Sequence, residues 1–234
     1  SPDQGLDPMA ADFRIQGYER NDGSHAQFLT VQGPQLHPKL PSLSFEEAGS
    51  YGLTLGTIHR ALYHTLDIEP NKRLFVEGAS TGTGYDCLRS AVSSGLDVVG
   101  MVSNAERAAR VEAVGGAAVD RKDPQWADAF PPVPDDPAAW ANWEAQGAGF
   151  VAATEAAAGG SVDYVVSHAG ETAFPRSFQT LGEGGVLTFY GASSGYRFTF
   201  MGKKGSSSSS EMFTRAGLRA GQSLLIVYGP GAED

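Results

Sequence analysis

A turn rich in small residues joins an apolar run to a helix-like stretch in residues 74–89, LFVEGASTGTGYDCLR. Glycine lets a backbone approach a ligand closely, and the first turn of a helix presents unpaired N–H groups and a partial positive charge. Such a turn between a strand and a helix favours the binding of a pyrophosphate. The candidate cofactor-binding residues in it are Gly78, Ser80, Thr81, Gly82, Thr83 and Gly84. Because Thr81 stands where the GxGxxG pattern expects glycine, a tight packing turn without a ligand remains the alternative.

The end of the next apolar run, DVVGMVS, indicates which dinucleotide the turn would hold. A chain that binds NAD places Asp or Glu about 20 residues beyond the glycines, where the carboxylate binds the ribose hydroxyls. Here Ser103 and Asn104 end the run, and Arg107 follows one helical turn later. A hydroxyl and a guanidinium favour a 2′-phosphate, which a carboxylate would repel. The sequence therefore favours NADPH, with Arg121 as a further phosphate ligand, and ordinary surface charge is the alternative for both arginines.

Alternating strands and helices, from about residue 72 onward, must position these side chains. We predict strands in RLFVEG, DVVGMVS, AAVD, VDYVVSHAG, GGVLTFYGA and SLLIVYG. We predict helices over 84–94 and 104–114, from Asp136 onward, over 172–181 and over 209–221. Continuous apolar strands separated by helices are typical of a parallel sheet covered on both faces. The predicted fold class is therefore α/β, a doubly wound parallel sheet (Rossmann fold), which six such strands would complete.

The segment before this alternation has a different character. FRIQGYE and AQFLTVQ predict two short strands joined by a turn at Asn21-Asp22-Gly23. Ser44 and Glu47 predict a capping box at the start of a helix, and 53–66 continues as helix. Two later segments break the pattern: 123–149 reads as an inserted excursion, and 203–211 as a flexible Gly/Ser loop.

Composition excludes several classes of protein. A net charge of −10 argues against a nucleic-acid partner. No run approaches the roughly 18 apolar residues of a membrane span, so no membrane partner is expected. The single cysteine, Cys87, cannot form an internal disulfide and reads as a small buried hydrophobe. A cytoplasmic location is therefore expected. No metal-ligand spacing stands out, and none is predicted.

Several stretches together resemble the medium-chain dehydrogenase/reductase superfamily, and more narrowly its crotonyl-CoA carboxylase/reductase family. They are GYERNDGSHAQF, FEEAGSYGLTLGTIHRAL, VEGASTGTG, VVGMVSNAERA, DRKDP and VDYVVSHAGETAFPRS. The resemblance runs from about residue 8 to residue 201. Within the family, the chain most resembles the acrylyl-CoA reductase domain of propionyl-CoA synthase, a large fusion enzyme that serves carbon fixation.

The resemblance implies an activity and a domain organisation. The activity is NADPH-dependent reduction of an α,β-unsaturated acyl-CoA, of acrylyl-CoA or crotonyl-CoA type, by hydride transfer to the β-carbon. Residues 1–44 would be the tail of a β-rich GroES-like substrate domain, and 45–234 the Rossmann domain, within a larger fusion enzyme. Three alternatives stay open: reductive carboxylation with CO2, an NADPH-dependent quinone or enone reductase, and a non-catalytic nucleotide-binding module. The apolar last strand, as a sheet edge, favours a homodimer.

The resemblance also assigns roles outside the glycine turn. Thr57 should lie near the nicotinamide or the pyrophosphate, and His168, Gly191 and Ala192 should border the nicotinamide ribose. Tyr18 and Glu19 match the Phe-Glu pair that carboxylating relatives place near CO2, with Tyr in place of Phe, and they are the candidate catalytic residues. A core aromatic and a partner for a nearby cation are the alternatives for these two.

Overall fold

The structure of the chain, a computed structural model, describes residues 14, 16–17, 20–195, 197–203, 210–215 and 225–228. The candidate catalytic residues Tyr18 and Glu19 and most of the predicted Gly/Ser loop lie outside the described residues. The chain forms two compact units that divide between residues 52 and 53. The assignment of 1–44 to a substrate domain stays a prediction.

The described residues of the first unit contain little regular structure. The hairpin predicted around Asn21-Asp22-Gly23 is wrong, because residues 26–32 form no strand and the described part shows only an isolated bridge between Gln16 and Arg20. Phe28 is 91% exposed, so this segment has no buried face to stabilise two short strands, which are marginal alone.

The predicted capping box is confirmed. The backbone N–H of Ser44 donates to Glu47 Oε2 at 2.8 Å, and the backbone N–H of Glu47 donates to Ser44 Oγ at 3.1 Å. Helix α1, Phe45–His59, begins there and passes directly into a π-helical turn, Arg60–Thr65. The helical stretch predicted over 53–66 is therefore also confirmed.

Five parallel strands form the body of the sheet in the second unit. They are β1 Arg73–Val76, β2 Asp97–Val102, β3 Ala117–Asp120, β4 Val162–Ser167 and β5 Leu181–Phe189. The intervening helices are α2 Gly82–Ser93, α3 Ala105–Glu112, α4 Trp140–Ala158 and α5 Phe174–Gln179. The strand order β3-β2-β1-β4-β5 reverses direction between β1 and β4, and such a switch point leaves a crevice at the carboxyl ends of the strands. The predicted doubly wound α/β fold is confirmed.

Three further strands follow β5; the strand predicted in SLLIVYG is confirmed as the last of them, but its direction and the two strands before it depart from the prediction. They are β6 Phe198–Lys203, β7 Ser210–Arg215 and β8 Leu225–Tyr228. β8 lies beside β5 but runs antiparallel to it; a parallel pair needs a crossover connection, usually a helix, and the described elements between these two strands are β6 and β7. The helix predicted over 209–221 is wrong for Ser210–Arg215, which pairs antiparallel with β6. The ends of the predicted Gly/Ser loop likewise lie in these two strands.

Both faces of the sheet are covered by apolar layers. Leu74 and Val76 of β1 pack into the layer that contains Leu88 of α2 and Val111 of α3. Phe75, between them in sequence, packs into the opposite layer with Phe150 of α4 and Phe174 of α5. This alternation fixes the register of β1, because a slip by one residue would exchange the two layers. In the part of the chain that the structure describes, no helix is long and apolar enough to cross a membrane.

The excursion 123–149 is anchored rather than loose. The indole N–H groups of Trp126, Trp140 and Trp143 donate to the carbonyls of Asp120, Pro134 and Pro131 at 2.8, 2.8 and 2.9 Å. The guanidinium of Arg176, on α5, is 1% exposed and lies over the Trp143 ring at 3.8 Å. It donates to the carbonyls of Ala129 at 2.6 Å and Trp143 at 3.0 Å. Burial lowers the pKa of Arg176 to about 10.

Candidate cofactor site

A cavity of about 620 Å³ opens at the carboxyl ends of β1 to β4, where the doubly wound order reverses. Ligands of open α/β sheets bind at this place. The cavity brings together six of the predicted cofactor-binding residues, from four different strand ends: Gly78, Ser80, Ser103, Arg107, Arg121 and His168.

The glycine turn after β1 has the backbone that a close approach requires. Gly78 and Gly82 have φ angles of +55° and +50°, in the left-handed region that favours glycine. A Cβ on Gly84 would lie 2.4 Å from the carbonyl oxygen of Gly78, so this position admits no side chain. Thr81 has φ −145°, which any residue adopts. Threonine in place of the expected glycine therefore leaves the turn intact.

The N-terminus of α2 adjoins this turn. Thr81 is the N-cap, and its side chain makes no capping hydrogen bond. The first N–H groups of a helix have no partner within it, so those of Gly82, Thr83 and Gly84 are suited to an anion. The turn and the start of α2 lie beside the cavity and do not line its wall; this applies to Thr81, Gly82, Thr83 and Gly84. Ser80 is 1% exposed and lines the cavity.

The residues after β2 and β3 supply two guanidinium groups. Arg107 Nη1 donates to Ser103 Oγ at 3.0 Å. Asn104, rather than Ser103, caps α3 by accepting from the backbone N–H of Arg107 at 2.9 Å, which leaves the Ser103 hydroxyl to the guanidinium. Arg121 follows β3 and lines the same cavity, and no carboxylate of the described residues lines it. This donor set suits a phosphate group and disfavours a bare ribose diol.

His168, directly after β4, forms the opposite part of the wall. Its Nε2 lies 2.9 Å from the carbonyl oxygen of Glu77, and its ring stacks on Tyr190 with centroids 5.7 Å apart. A Cβ on Gly78 would lie 2.7 Å from this Nε2, so the glycine also makes room for the imidazole. The residues that follow β1, β4 and β5 therefore contact one another and fix one another's positions.

Besides the four residues of the turn beside the cavity, three further predicted residues are not brought to its wall. The Thr57 hydroxyl donates to the carbonyl of Leu53 in its own helix at 2.8 Å. Gly191, with φ +60°, and Ala192 follow β5 and precede the residues that do line the cavity. The cofactor roles of these three residues stay predictions.

The sequence interpretation missed several residues of the wall. Thr172, Ser193 and Ser194 line it, and Ser194 Oγ donates to the carbonyl of Ala169 at 2.6 Å. The two serines follow the fifth strand. Because the carboxyl ends of parallel strands meet at one edge of a sheet, their place at the cavity could have been predicted from the sequence. Phe130, from the excursion, also lines the cavity and packs edge-on against Phe150 at 4.9 Å. No local pattern marked it.

The site therefore fits NADPH by the chemistry of its donors. The glycine turn and the start of α2 can receive a pyrophosphate, and the two arginines can receive a further phosphate. Among the described residues, no three of His, Cys, Asp and Glu gather as they would around a metal ion.

Known proteins with the same architecture have been characterised. A crotonyl-CoA carboxylase/reductase of Cereibacter sphaeroides is 34% identical over 202 residues, which are 84% of this chain and 46% of that protein. The structure of crotonyl-CoA carboxylase/reductase AntE in complex with NADP matches with a TM-score of 0.71 and 27% identity, over 78% of this chain and 46% of that one. The 2-octenoyl-CoA carboxylase reductase CinF, in complex with NADP and 2-octenoyl-CoA, matches with a TM-score of 0.70 and 28% identity, over 82% of this chain and 42% of that one.

No protein-family model matches the chain. The chain spans less than half the length of the relatives named above. The match to the Cereibacter protein nevertheless takes in 84% of this chain. Homologues of this chain include crotonyl-CoA carboxylase/reductases, enzymes of the medium-chain dehydrogenase/reductase superfamily.

Proposed function

We propose that this chain is the NADPH-binding part of an enoyl-CoA reductase, which reduces an α,β-unsaturated acyl-CoA to the saturated acyl-CoA. The observation that carries the proposal is the cavity at the switch point, where Arg107 and Arg121 converge with the glycine turn and no described carboxylate intervenes. The named relatives, two of them with NADP bound, support the reaction class and the cofactor.

Each side of the cavity has its own task in this proposal. Bound NADPH supplies a hydride for the β-carbon of the acyl-CoA. The turn at Gly78 and the first N–H groups of α2 hold the pyrophosphate, and Arg107 and Arg121 hold the 2′-phosphate. His168 borders the nicotinamide ribose. These contacts contribute orientation, so that the cofactor is presented to the substrate in one geometry.

The finer substrate assignment is an acrylyl-CoA or crotonyl-CoA type, within a fusion enzyme such as propionyl-CoA synthase. The sequence resemblance supports it, and the name of the Cereibacter relative supports its crotonyl-CoA type alone. Reductive carboxylation is the second candidate function, because the Cereibacter relative and AntE are both carboxylase/reductases. Tyr18 and Glu19 are its proposed contacts for CO2. A homodimer through the strand edge at β8 and a cytoplasmic location belong to the same proposal.

A cofactor titration tests the assignment. We expect NADPH to bind at least tenfold more tightly than NADH, and Arg107→Ala to lose roughly 1–3 kcal/mol of NADPH affinity while NADH affinity changes little. Arg110→Ala is the matched control, since Arg110 lies on the same helix but packs over the Tyr85 ring, 4.4 Å from its centroid. Fluorescence titration measures both dissociation constants. Equal losses for the two cofactors in Arg107→Ala would refute the 2′-phosphate site.

Substrate assays on the parent protein then separate the reactions. NADPH oxidation with acrylyl-CoA or crotonyl-CoA, without CO2, is the expected result. A carboxylated product in the presence of bicarbonate would establish the second candidate instead. Oxidation with a free enone or quinone but with no CoA thioester would contradict the proposed substrate class.

A further inference from the structure

Glu77, between β1 and the glycine turn, is a fully buried carboxylate that has no role in the proposed reaction described above. Its Oε2 accepts from the backbone N–H groups of His168 at 3.0 Å and Ala169 at 2.8 Å. Its Oε1 accepts from the hydroxyl of Ser177 on α5. Among the described residues it forms no ion pair. A buried carboxylate is costly unless its oxygens are hydrogen-bonded, and here three donors are committed to it.

The same residue also holds the His168 ring. The main-chain carbonyl of Glu77 lies 2.9 Å from His168 Nε2. A carbonyl oxygen only accepts hydrogen bonds, so Nε2 carries a proton, and in the neutral imidazole Nδ1 is then an acceptor. Stacking on Tyr190 fixes the plane of the ring. Glu77 therefore holds His168 at two points, through its carboxylate and through its carbonyl.

The residues that Glu77 holds in place form part of the cavity wall. His168 and Ala169 both line the cavity. Nδ1 of His168 has no hydrogen-bond partner among the described residues. A neutral acceptor repels the oxygens of a phosphate, whereas it pairs with a hydroxyl group. The phosphate-binding groups lie at the other strand ends, so this part of the wall is suited to the hydroxyl of a ribose.

We propose that Glu77 is a positioning residue for the cofactor site. It fixes the backbone at His168 and Ala169 and keeps His168 as the Nε2–H tautomer, so that Nδ1 accepts a hydrogen bond from a ribose hydroxyl of the bound dinucleotide. The ribose contact rests on the proposed function; the tautomer and the positions of the two residues do not.

Two substitutions of similar shape test this role. In Glu77→Gln the amide oxygen still accepts from the two backbone N–H groups, and the amide nitrogen can donate to Ser177 Oγ. Glu77→Met has nearly the same length and no comparable acceptor. Thr154→Val is the control, because it removes a buried hydroxyl that bonds only to the carbonyl of Phe150, in α4 and away from the cavity. The readouts are the NADPH dissociation constant and the ¹⁵N chemical shifts of His168, assigned with His168→Gln.

We expect a single Nε2–H tautomer in the wild-type chain and in Glu77→Gln, with NADPH affinities within threefold of each other. Glu77→Met keeps the main-chain carbonyl but loses the carboxylate that fixes the backbone of His168. We therefore expect the ring to shift away from that carbonyl, with a mixture of tautomers and at least tenfold weaker NADPH binding, and no change in Thr154→Val. A folded Glu77→Met that keeps both wild-type values overturns the proposal. So does an Nδ1–H tautomer in the wild-type chain, a measurement that needs no variant to fold.

Failure of the proposed function gives a different result. If the wild-type chain bound no NADPH, the cofactor assignment would fall while the histidine spectra would still report on Glu77. Unchanged spectra in Glu77→Met would then overturn the positioning role as well.

Discussion

At the residue scale, two glycines of the turn share a left-handed backbone but differ in their surroundings. A Cβ on Gly78 would lie 2.7 Å from His168 Nε2, whereas a Cβ on Gly82 would meet nothing within 4 Å. Comparing the two positions therefore separates backbone strain from displacement of the histidine.

We expect Gly82→Ala to cost about 1–2 kcal/mol of stability, since strain at positive φ is its only penalty. Gly78→Ala should cost more and should also weaken NADPH binding at least tenfold, because the imidazole must leave its place on the wall. Denaturant unfolding and fluorescence titration measure the two effects. A folded Gly78→Ala variant that keeps the NADPH affinity of the wild-type chain would show that the histidine contact contributes nothing to binding.

Sequence reasoning identified residues that line the cavity better than the residues that hold them in place. Ser103, Arg107 and Arg121 were found because charge and hydroxyl chemistry at strand ends is visible in the sequence itself. Glu77 was not found, since a carboxylate that ends an apolar strand gives no sign of the two N–H groups it meets 91 and 92 residues later. Such a partner exists only once β4 lies beside β1.

At the element scale, the helices and strands that local sequence determines were predicted correctly, and those that depend on a distant partner were not. Apolar runs alternate with helices from β1 to β5, so these five strands and the doubly wound class followed from local pattern. Ser210–Arg215 has no such pattern, and its strand exists because β6 offers a partner. Pairing with a neighbour overrides weak local preference, and sequence alone does not show the neighbour.

The excursion 123–149 is held by its own three tryptophans and by one side chain from outside it, Arg176. We expect Arg176→Met to lose about 2–4 kcal/mol, because the carbonyls of Ala129 and Trp143 would be buried without a donor. Arg176→Lys should fall between wild type and Met, since lysine keeps the charge but cannot serve both carbonyls as a planar fork. Denaturant unfolding gives the free energies, and limited proteolysis within 127–139 reports local opening. A loss below about 0.5 kcal/mol in Arg176→Met would contradict this role.

At the scale of the whole molecule, the chain is acidic, with a net charge of −10, but two of its arginines line one cavity. These two arginines allow an anionic cofactor to bind there although the net charge of the chain would repel it. A ligand that binds only the folded state raises its stability by mass action, about 2.7 kcal/mol at a hundredfold excess over the dissociation constant.

The melting temperature of the chain should therefore depend on NADPH. For a domain of this size, 1 kcal/mol corresponds to roughly 2–4 °C, so saturating NADPH should raise the melting temperature by about 5–10 °C, and NADH at the same concentration by much less. Differential scanning fluorimetry measures both shifts. Arg107→Ala should bring the NADPH shift down to the NADH value, and Arg110→Ala should leave the difference in place. Equal shifts in the wild-type chain would mean that the cavity holds a dinucleotide without using its arginines, because the two cofactors differ only by the 2′-phosphate.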